Sequence, residues 1–300
     1  MIDFKANLSA YAARFNSEIE KFFAYPNGEE RRVAEAMHYS LTCGGKRLRP
    51  FLVYETARIF DIDFKQSLNV AMALEMLHTY SLIHDDLPAM DNDDWRRGFP
   101  TCHKKFDEAT AIIAGDGLLT YAFEVMSREE IATDVKVRCR LINMLAKAAG
   151  AFDGMVAGQM LDLIASQYPQ APENHRKIIE HIEEMKTGRL LQYAVEAGAI
   201  LGNADEEQMK RLKSYARKIG IAFQITDDIL DAIGDEKKVG KTLHKDDSQN
   251  KITFVALYGL EKARQIAAEL LAEAVSELKI FGNRADILCA LAEYIALRDH

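Results

Sequence analysis

Two clusters of aspartates are the residues of this sequence best suited to chemistry. The first lies in Asp85–Asp91, with carboxylates at 85, 86 and 91, and the second in Asp227–Asp231, with carboxylates at 227, 228 and 231. Asp227 and Asp231 are four residues apart, which places them on one helix face about 6 Å apart, where like charges repel. Clustered carboxylate oxygens favour a hard cation such as Mg²⁺, which completes its shell with water and substrate phosphates. The pattern therefore predicts a site that holds Mg²⁺.

Pro88 interrupts the first cluster. Proline cannot continue regular helical hydrogen bonding, so the apolar helix that precedes the cluster should end there. We expect this break to let Asp91 fold back beside Asp85, although an unbroken helix would place the two on different faces.

Two basic groups complete the chemistry-bearing residues. Gly44–Pro50 carries three cations behind a glycine pair, and Arg96-Arg97 follows the first acidic cluster. Arginine forks fit phosphate oxygens, and lysine supplies a point charge. Taken singly, each group is also typical of solvated helix ends. Together with the aspartates, they indicate two phosphate-bearing substrates, one held through metal ions and one held directly by cations.

The elements that position these residues are predicted to be helices. Apolar residues recur at helical spacing through most of the chain, and 262–280 keeps an i, i+4 ladder for over four turns. Glycine and proline are only 23 of 300 residues, below the usual share of about 12%. We predict an all-α fold of roughly ten helices without a sheet, with a capping box at Ser127–Glu130. No linker divides the chain, so 1–300 is predicted to be a single domain.

Composition excludes several classes of protein. The net charge of −8 argues against a nucleic-acid-coating protein. The four cysteines are scattered without a CxxC pair, which is typical of reduced thiols in a cytoplasmic protein. We expect no signal peptide and no membrane span, because the richest apolar run, 68–83, is interrupted by polar residues.

The segment 235–251 breaks the helical pattern. It contains five lysines and four acidic residues. A solvated loop is one interpretation, but structureless loops of this length are uncommon unless they are functional, so a lid over the site is the alternative.

With these residues in view, the sequence resembles the trans-prenyltransferases, the short-chain isoprenyl diphosphate synthases, and most closely their bacterial C15-forming members. The resemblance runs from about Met37 to Lys251 and continues less distinctly to the end. The strings that carry it are Gly44–Pro50, His78, Asp85–Asp91, Arg96-Arg97-Gly98, Gly158-Gln159 with Asp162, Lys186-Thr187, Gln224 with Asp227–Asp231, and Gly240-Lys241.

The resemblance implies an isoprenoid synthase fold, with antiparallel helices around a central cavity, and a homodimer in the cytoplasm. It implies an enzyme that condenses isopentenyl diphosphate with dimethylallyl and geranyl diphosphate to give farnesyl diphosphate. About three Mg²⁺ ions per active site are implied, with Mn²⁺ able to replace them. Neither a nucleic acid nor a membrane span is expected.

Roles for individual residues also come from the resemblance. It implies that Mg²⁺ and the allylic diphosphate are held by Asp85, Asp91 and Asp227. The resemblance implies that these three are supported by Asp86, Asp228 and Asp231, as further ligands or through waters. The remaining contacts to the allylic substrate, some of them catalytic, are implied for Lys186, Thr187, Gln224, Lys241 and Arg96. The diphosphate of isopentenyl diphosphate is implied to bind Lys46, Arg49, His78 and Arg97.

Product length is expected to depend on the helix before the first cluster. Ser81 and Tyr80 lie four and five residues before Asp85, the latter about 7.5 Å away along a helix axis. In the family, an aromatic at the fifth position together with the Pro88-Ala89 insertion is the pattern of bacterial C15 synthases. The phenol of Tyr80 would form the floor of the chain pocket, although a packed core aromatic is an equally ordinary role.

The sequence departs from the family at Asn92, Ala157 and Phe254-Val255, none of which is a proposed ligand. Two alternatives stay open. One is a synthase of C20 or longer chains, and another is a non-catalytic partner subunit, which would be expected to have lost some of the six aspartates. A terpene cyclase would have no use for the Gly-Gly-Lys-Arg site.

Overall fold

The computed structural model describes residues 2–167, 175–233 and 253–297. Within them lie fourteen α-helices: α1 Phe4–Phe22, α2 Arg31–Thr42, α3 Leu48–Ile59, α4 Phe64–Asp85, α5 Cys102–Lys105, α6 Glu108–Ser127, α7 Val135–Ala149, α8 Met155–Gln167, α9 His175–Glu183, α10 Arg189–Leu201, α11 Glu206–Ile233, α12 Phe254–Tyr258, α13 Leu260–Glu277 and α14 Asp286–Ala296. The all-α prediction is confirmed, with more helices than the ten expected because several are a single turn or two.

Short elements of other kinds punctuate these helices. Glu129–Ile131 and Leu278–Ala285 are 3-10 turns, and Glu184–Gly188 is a π-helix between α9 and α10. A two-residue antiparallel pair, β1 Trp95–Arg96 and β2 Phe99–Pro100, corrects the expectation of no sheet. Strands this short lack any period-2 pattern, so no alternation could have predicted them.

The described residues group into two compact units. The first comprises Lys5–Tyr54 and Asp63–Ile142, and the second comprises Glu55–Ile62 together with the described residues of 2–4 and of the chain from Asn143 onward. In the first, α4 packs against α6 and α2. In the second, α11 packs against α13 and α10. The single domain over 1–300 stays a prediction.

Helix α4 is the central element of the first unit. Its stretch 70–77 is buried throughout, which explains why its apolar residues surround the helix rather than forming one stripe. The helix begins at a capping box in which the Asp63 side chain accepts from the Gln66 backbone N–H and the Gln66 side chain accepts from the Asp63 backbone N–H. This box is the kind of signal expected at Ser127–Glu130, where the expectation is wrong: Ser127 ends α6, its hydroxyl bonds the Glu124 carbonyl, and α7 begins at Val135.

One described helix, Glu108–Ser127, is long and apolar enough to cross a membrane by length and composition alone. Core helices pass the same test, and α6 packs along α4. This helix is therefore weak evidence for a span, and it qualifies the expectation drawn from the run 68–83.

A buried ion pair fixes the glycine-rich loop against α4. The Arg47 guanidinium donates to Glu75 at 2.6 Å, and both side chains are at most 3% exposed. Arg47 also donates to the Asn16 side chain and to the Leu41 carbonyl. Its backbone is left-handed, with φ of 53°, a conformation that costs a non-glycine residue about 1 kcal/mol. Arg47 is thus a structural anchor for the loop.

Because one buried charge would be left without its partner, Glu75→Gln should destabilise the protein by about 3 kcal/mol. The measurement is the urea midpoint of unfolding. Glu35→Gln is the matched control, since it removes a carboxylate paired with Arg31 in an exposed i, i+4 pair and should cost less than about 0.5 kcal/mol. Equal midpoints for the two variants would contradict the anchoring role.

Candidate active site

The chain after α4 makes the reversal that Pro88 predicts. The backbone N–H of Asp91 donates to the carbonyl of Asp85 at 2.8 Å, and the N–H groups of Met90 and Asn92 both donate to the Leu87 carbonyl. Asn92 is left-handed, with φ of 50°. The expectation that Asp91 folds back to Asp85 is therefore confirmed at the level of the backbone.

Asp86 and Arg96 form a fork-to-carboxylate ion pair. The Arg96 Nε donates to both Asp86 oxygens at 2.8 and 2.9 Å, and Nη2 donates to Oδ1 at 2.5 Å. Burial opposes the charge on Arg96, but its bonds to Asp86 raise the pKa overall, so the guanidinium stays ionised. The pair joins the hairpin β1–β2 to the end of α4. The roles predicted for Asp86 at a metal and for Arg96 at a substrate stay predictions.

Three of the residues predicted to bind one diphosphate lie together in the first unit. Arg49 Nη1 lies 3.3 Å from His78 Nε2, and Arg97 is close enough to lower the pKa of both. Burial and the neighbouring arginines hold the pKa of His78 well below its usual value, so the imidazole is neutral. Burial lowers the pKa of Arg49 to about 10, and its Nε is buried without a hydrogen-bond partner among the described residues. An orphaned buried donor beside like charges suits an anion.

Arg97 lies directly on the glycine pair. Its Nη1 donates to the Gly44 carbonyl at 2.8 Å. A Cβ on Gly45 would lie 2.3 Å from the same nitrogen, and Gly45 has φ of 117°. Only glycine satisfies both constraints. Lys46, the next residue, is exposed.

Lys186 and Thr187 lie in the π-helix of the second unit. Lys186 Nζ donates to Asp162 on α8 at 2.5 Å. Gly158 permits this approach, because a Cβ there would lie 2.3 Å from the Lys186 backbone nitrogen. Single π-turns inside helices occur frequently at functional sites, which fits the roles predicted for this pair.

The second aspartate cluster lies within α11, so Asp227 and Asp231 are one helical turn apart as expected. Asp228 is buried and has a structural use. One of its oxygens accepts from the Phe254 N–H at 2.8 Å and the other from Gln224 Nε2 at 3.2 Å. Lys241 and the segment 235–251 lie outside the described residues.

Tyr80 and Ser81 differ in their surroundings. Tyr80 is 6% exposed, and burial together with the Asp85 charge raises the pKa of its phenol to about 12, so the ring is neutral. The Ser81 hydroxyl donates to the His78 carbonyl at 2.8 Å. Of the two predicted length-determining residues, Tyr80 is thus the one that contributes bulk.

Within the described residues, no group of three or more histidine, cysteine, aspartate or glutamate side chains is arranged so that it could hold a metal ion. The donors themselves fit Mg²⁺, which usually takes one or two protein carboxylates and fills its shell with water and substrate phosphates. Asp85 and Asp91, joined through their backbones, are suitable ligands of this kind.

Several residues around the site carry only weak signals in the sequence. Glu75 stands out in retrospect as a charge inside an apolar helix, and it is the partner of Arg47. Gln159, noted only as part of a motif, has its side-chain oxygen buried without a hydrogen-bond partner in the described part of the chain. His84 and Gly115, in contact across α4 and α6, carry no signal, because a contact between helices has no fixed spacing in sequence.

Comparison with known proteins agrees with these features. The profile of the polyprenyl synthetase family matches residues 30–292. A farnesyl diphosphate synthase of Geobacillus stearothermophilus is 47% identical, covering 90% of this chain and 89% of that protein. A farnesyl diphosphate synthase of Escherichia coli is 42% identical, covering 99% of this chain and 100% of that protein. The crystal structure of an FPP/GFPP synthase from Zymomonas mobilis has a TM-score of 0.86 at 44% identity, covering 97% of this chain and 99% of that one.

The cluster of Arg49, His78 and Arg97 generates a prediction that can be tested by binding, without measuring enzyme activity. Inorganic diphosphate at about 100 times its Kd should stabilise the wild-type protein by about 2.7 kcal/mol. Gly45→Ala should lose most of this gain, since its methyl group displaces the Arg97 guanidinium. The measurement is the shift in urea midpoint on adding diphosphate without metal.

Gly259→Ala is the control for backbone strain, because Gly259 has φ of 75° and no atom lies within 4 Å of the position that an added methyl group would take. It should be destabilised as a protein yet keep the full diphosphate shift. Equal diphosphate-induced shifts in Gly45→Ala and Gly259→Ala would show that Arg97 does not belong to the anion site.

Proposed function

This chain belongs to the polyprenyl synthetase family and has its all-α isoprenoid synthase fold, and from that premise we propose that it is a farnesyl diphosphate synthase. It condenses isopentenyl diphosphate head-to-tail with dimethylallyl diphosphate and then with geranyl diphosphate. The product is the C15 farnesyl diphosphate, and one diphosphate is released at each step.

The observation that carries the proposal is that two consecutive arginines bond to different partners. Arg96 bonds Asp86 at the acidic end of α4, whereas Arg97 bonds the Gly44 carbonyl beside Arg49 and His78. Arg97 is left-handed, with φ of 55°, which is how neighbours in one hairpin can turn to different partners. One peptide unit thereby links a carboxylate site to a cationic site. Two neighbouring sites of this kind suit a reaction between two diphosphates.

The carboxylate site suits the allylic substrate. We assign Asp85, Asp91 and Asp227 to Mg²⁺, which when bound neutralises charge on the departing diphosphate. Asp231 lies one turn from Asp227 and supports it, while Asp86 and Asp228 hold Arg96 and the start of α12. Lys186, Thr187, Gln224 and Lys241 are assigned to the same diphosphate.

The cationic site suits isopentenyl diphosphate. Lys46, Arg49 and Arg97 supply charge, and neutral His78 supplies a hydrogen bond, so no metal is needed there. Cationic groups fixed in place before the reaction stabilise anionic charge without reorganising.

The chemistry follows from these two sites. The allylic C1–O bond breaks, its electrons leave with the diphosphate, and C1 becomes cationic. The double bond of isopentenyl diphosphate attacks C1 and forms the new carbon–carbon bond. Loss of a proton from the adjacent carbon restores a double bond, and the released diphosphate is the base that accepts it. Apolar walls such as Tyr80 exclude water, which would otherwise trap the cation.

The proposal extends to Mg²⁺ dependence, replaceable by Mn²⁺, to a homodimer and to a cytoplasmic location. The support is the donor chemistry of the aspartates and the resemblance to the family. The decisive experiment incubates the pure protein with Mg²⁺ and both C5 diphosphates and sizes the products by chromatography. A C15 product supports the proposal. A C20 or longer product makes the chain a longer-chain synthase, and no product makes it a partner subunit.

Asp85→Asn and Asp227→Asn should each reduce kcat by at least about 100-fold, the scale for losing one electrostatic contact in the transition state. A chelator should abolish activity in the wild-type protein, and added Mg²⁺ should restore it. Asp205→Asn, which alters an aspartate whose side chain caps α11 by bonding the Gln208 N–H, is the control and should keep wild-type kcat. Near wild-type turnover in either site variant would rule out the metal assignment.

Tyr80→Ala should shift the main product from C15 to C20 or longer, because it removes the buried ring proposed as the floor of the chain pocket. The measurement is product size at full consumption of the allylic substrate, with Mg²⁺ dependence unchanged. Ser81→Ala is the matched control: it removes only a hydroxyl that bonds backbone and should change product size little. A folded, active Tyr80→Ala enzyme that still stops at C15 would show that Tyr80 does not set the length.

A further inference from the structure

Tyr80 is supported by a ring from the next turn of its own helix. The His84 imidazole meets the Tyr80 ring edge to face, with centroids 5.7 Å apart and an angle of 82° between planes. Edge-to-face contacts of this kind are favourable and fix the relative orientation of the rings.

His84 is itself held by α6. Its Nε2 lies 3.1 Å from the Ile112 carbonyl oxygen. Since a carbonyl oxygen only accepts, Nε2 is the protonated nitrogen. The Asp116 carboxylate lies 4.0 Å from the same nitrogen. The imidazole therefore has one favoured position, set by the neighbouring helix.

Gly115 provides the space for that position. It is buried in the middle of α6, and a Cβ there would lie 2.1 Å from His84 Nε2 and 2.5 Å from Cδ2. No left-handed backbone requires glycine here, so the requirement is the close approach of the ring. Alanine would fit the helix and favour it but would exclude the imidazole.

We propose that His84, seated on Gly115, is a positioning residue that holds Tyr80 as the floor of the product pocket and so sets chain length. This inference rests on the proposed function, and specifically on the role of Tyr80. With the imidazole displaced, the Tyr80 ring has space beside it and can turn aside for a longer chain.

The test compares the ratio of C20 to C15 product in five proteins: wild type, His84→Ala, Gly115→Ala, Tyr80→Ala and Tyr80→Ala/His84→Ala. His84→Ala and Gly115→Ala should each raise the ratio between about twofold and tenfold, the range corresponding to an aromatic pair contact. Gly115→Ala is the cleaner variant, because it leaves the sequence of α4 unchanged, including Asp85, which follows His84.

Gly117→Ala is the matched control. It makes the same change two residues along α6, where the added methyl would meet the flexible Met37 side chain at 2.9 Å rather than His84. It should give the wild-type ratio. Circular dichroism melts establish that each variant is folded.

The double variant separates positioning from an independent role. If His84 acts through Tyr80, adding His84→Ala to Tyr80→Ala should leave the ratio at the value for Tyr80→Ala alone. A further rise would overturn the inference, as would wild-type ratios in both His84→Ala and Gly115→Ala when Tyr80→Ala gives C20. If Tyr80→Ala itself gave the wild-type ratio, the role of Tyr80 as the pocket floor would be overturned instead. Absence of any product in the wild-type protein would overturn the proposed function.

Discussion

The buried ion pair between Arg47 and Glu75 is the contact on which the basic half of the site depends. Desolvating two charges is costly, and it is offset here by short hydrogen bonds that also reach Asn16 and the Leu41 carbonyl. The pair holds Arg47 in a left-handed conformation two residues before Arg49, and it attaches the loop to α4 three residues before His78. Both members of the Arg49–His78 contact are therefore positioned by the same anchor, one from each side.

Each of the two aspartate clusters is subject to a different constraint, the repulsion among its own carboxylates. The second aspartate of each adjacent pair has a protein partner that stabilises its charge. Asp86 pairs with Arg96, and Asp228 accepts bonds from Gln224 and the Phe254 N–H. Asp85 and Asp227, the first aspartate of each pair, are the ones that we assign to metal. Each pair thus contains one aspartate with an observed structural contact and one with a proposed metal role.

The sequence could predict the helices and the reversal at Pro88, because these follow from periodicity and from proline geometry, whereas the list of site residues, which follows from motif, stays a prediction. It could not predict that Arg47 is an anchor, since its three-cation string gives no sign of which cation is buried. The capping box expected at Ser127 does not form, whereas Asp63 and Asp205 each form one, because the short pattern recurs by chance and only the chain geometry decides which copies form. The π-helix at Lys186 likewise leaves no mark in the sequence, since it depends on Gly158 admitting a close approach from α8.

On the proposed roles, helix α4 links the chemistry of this chain to the length of its product. It carries Glu75, His78, Tyr80, His84 and Asp85 within eleven residues. The observed anchor therefore shares one helix axis with the residues that we propose as anion contact, pocket floor, its support and metal ligand. A rise of 1.5 Å per residue fixes the distance from the reacting end to the floor. On the proposed roles, the length of the product is set by a distance along this helix, and Gly115 of α6 would influence it without touching substrate, through the orientation of the Tyr80 ring.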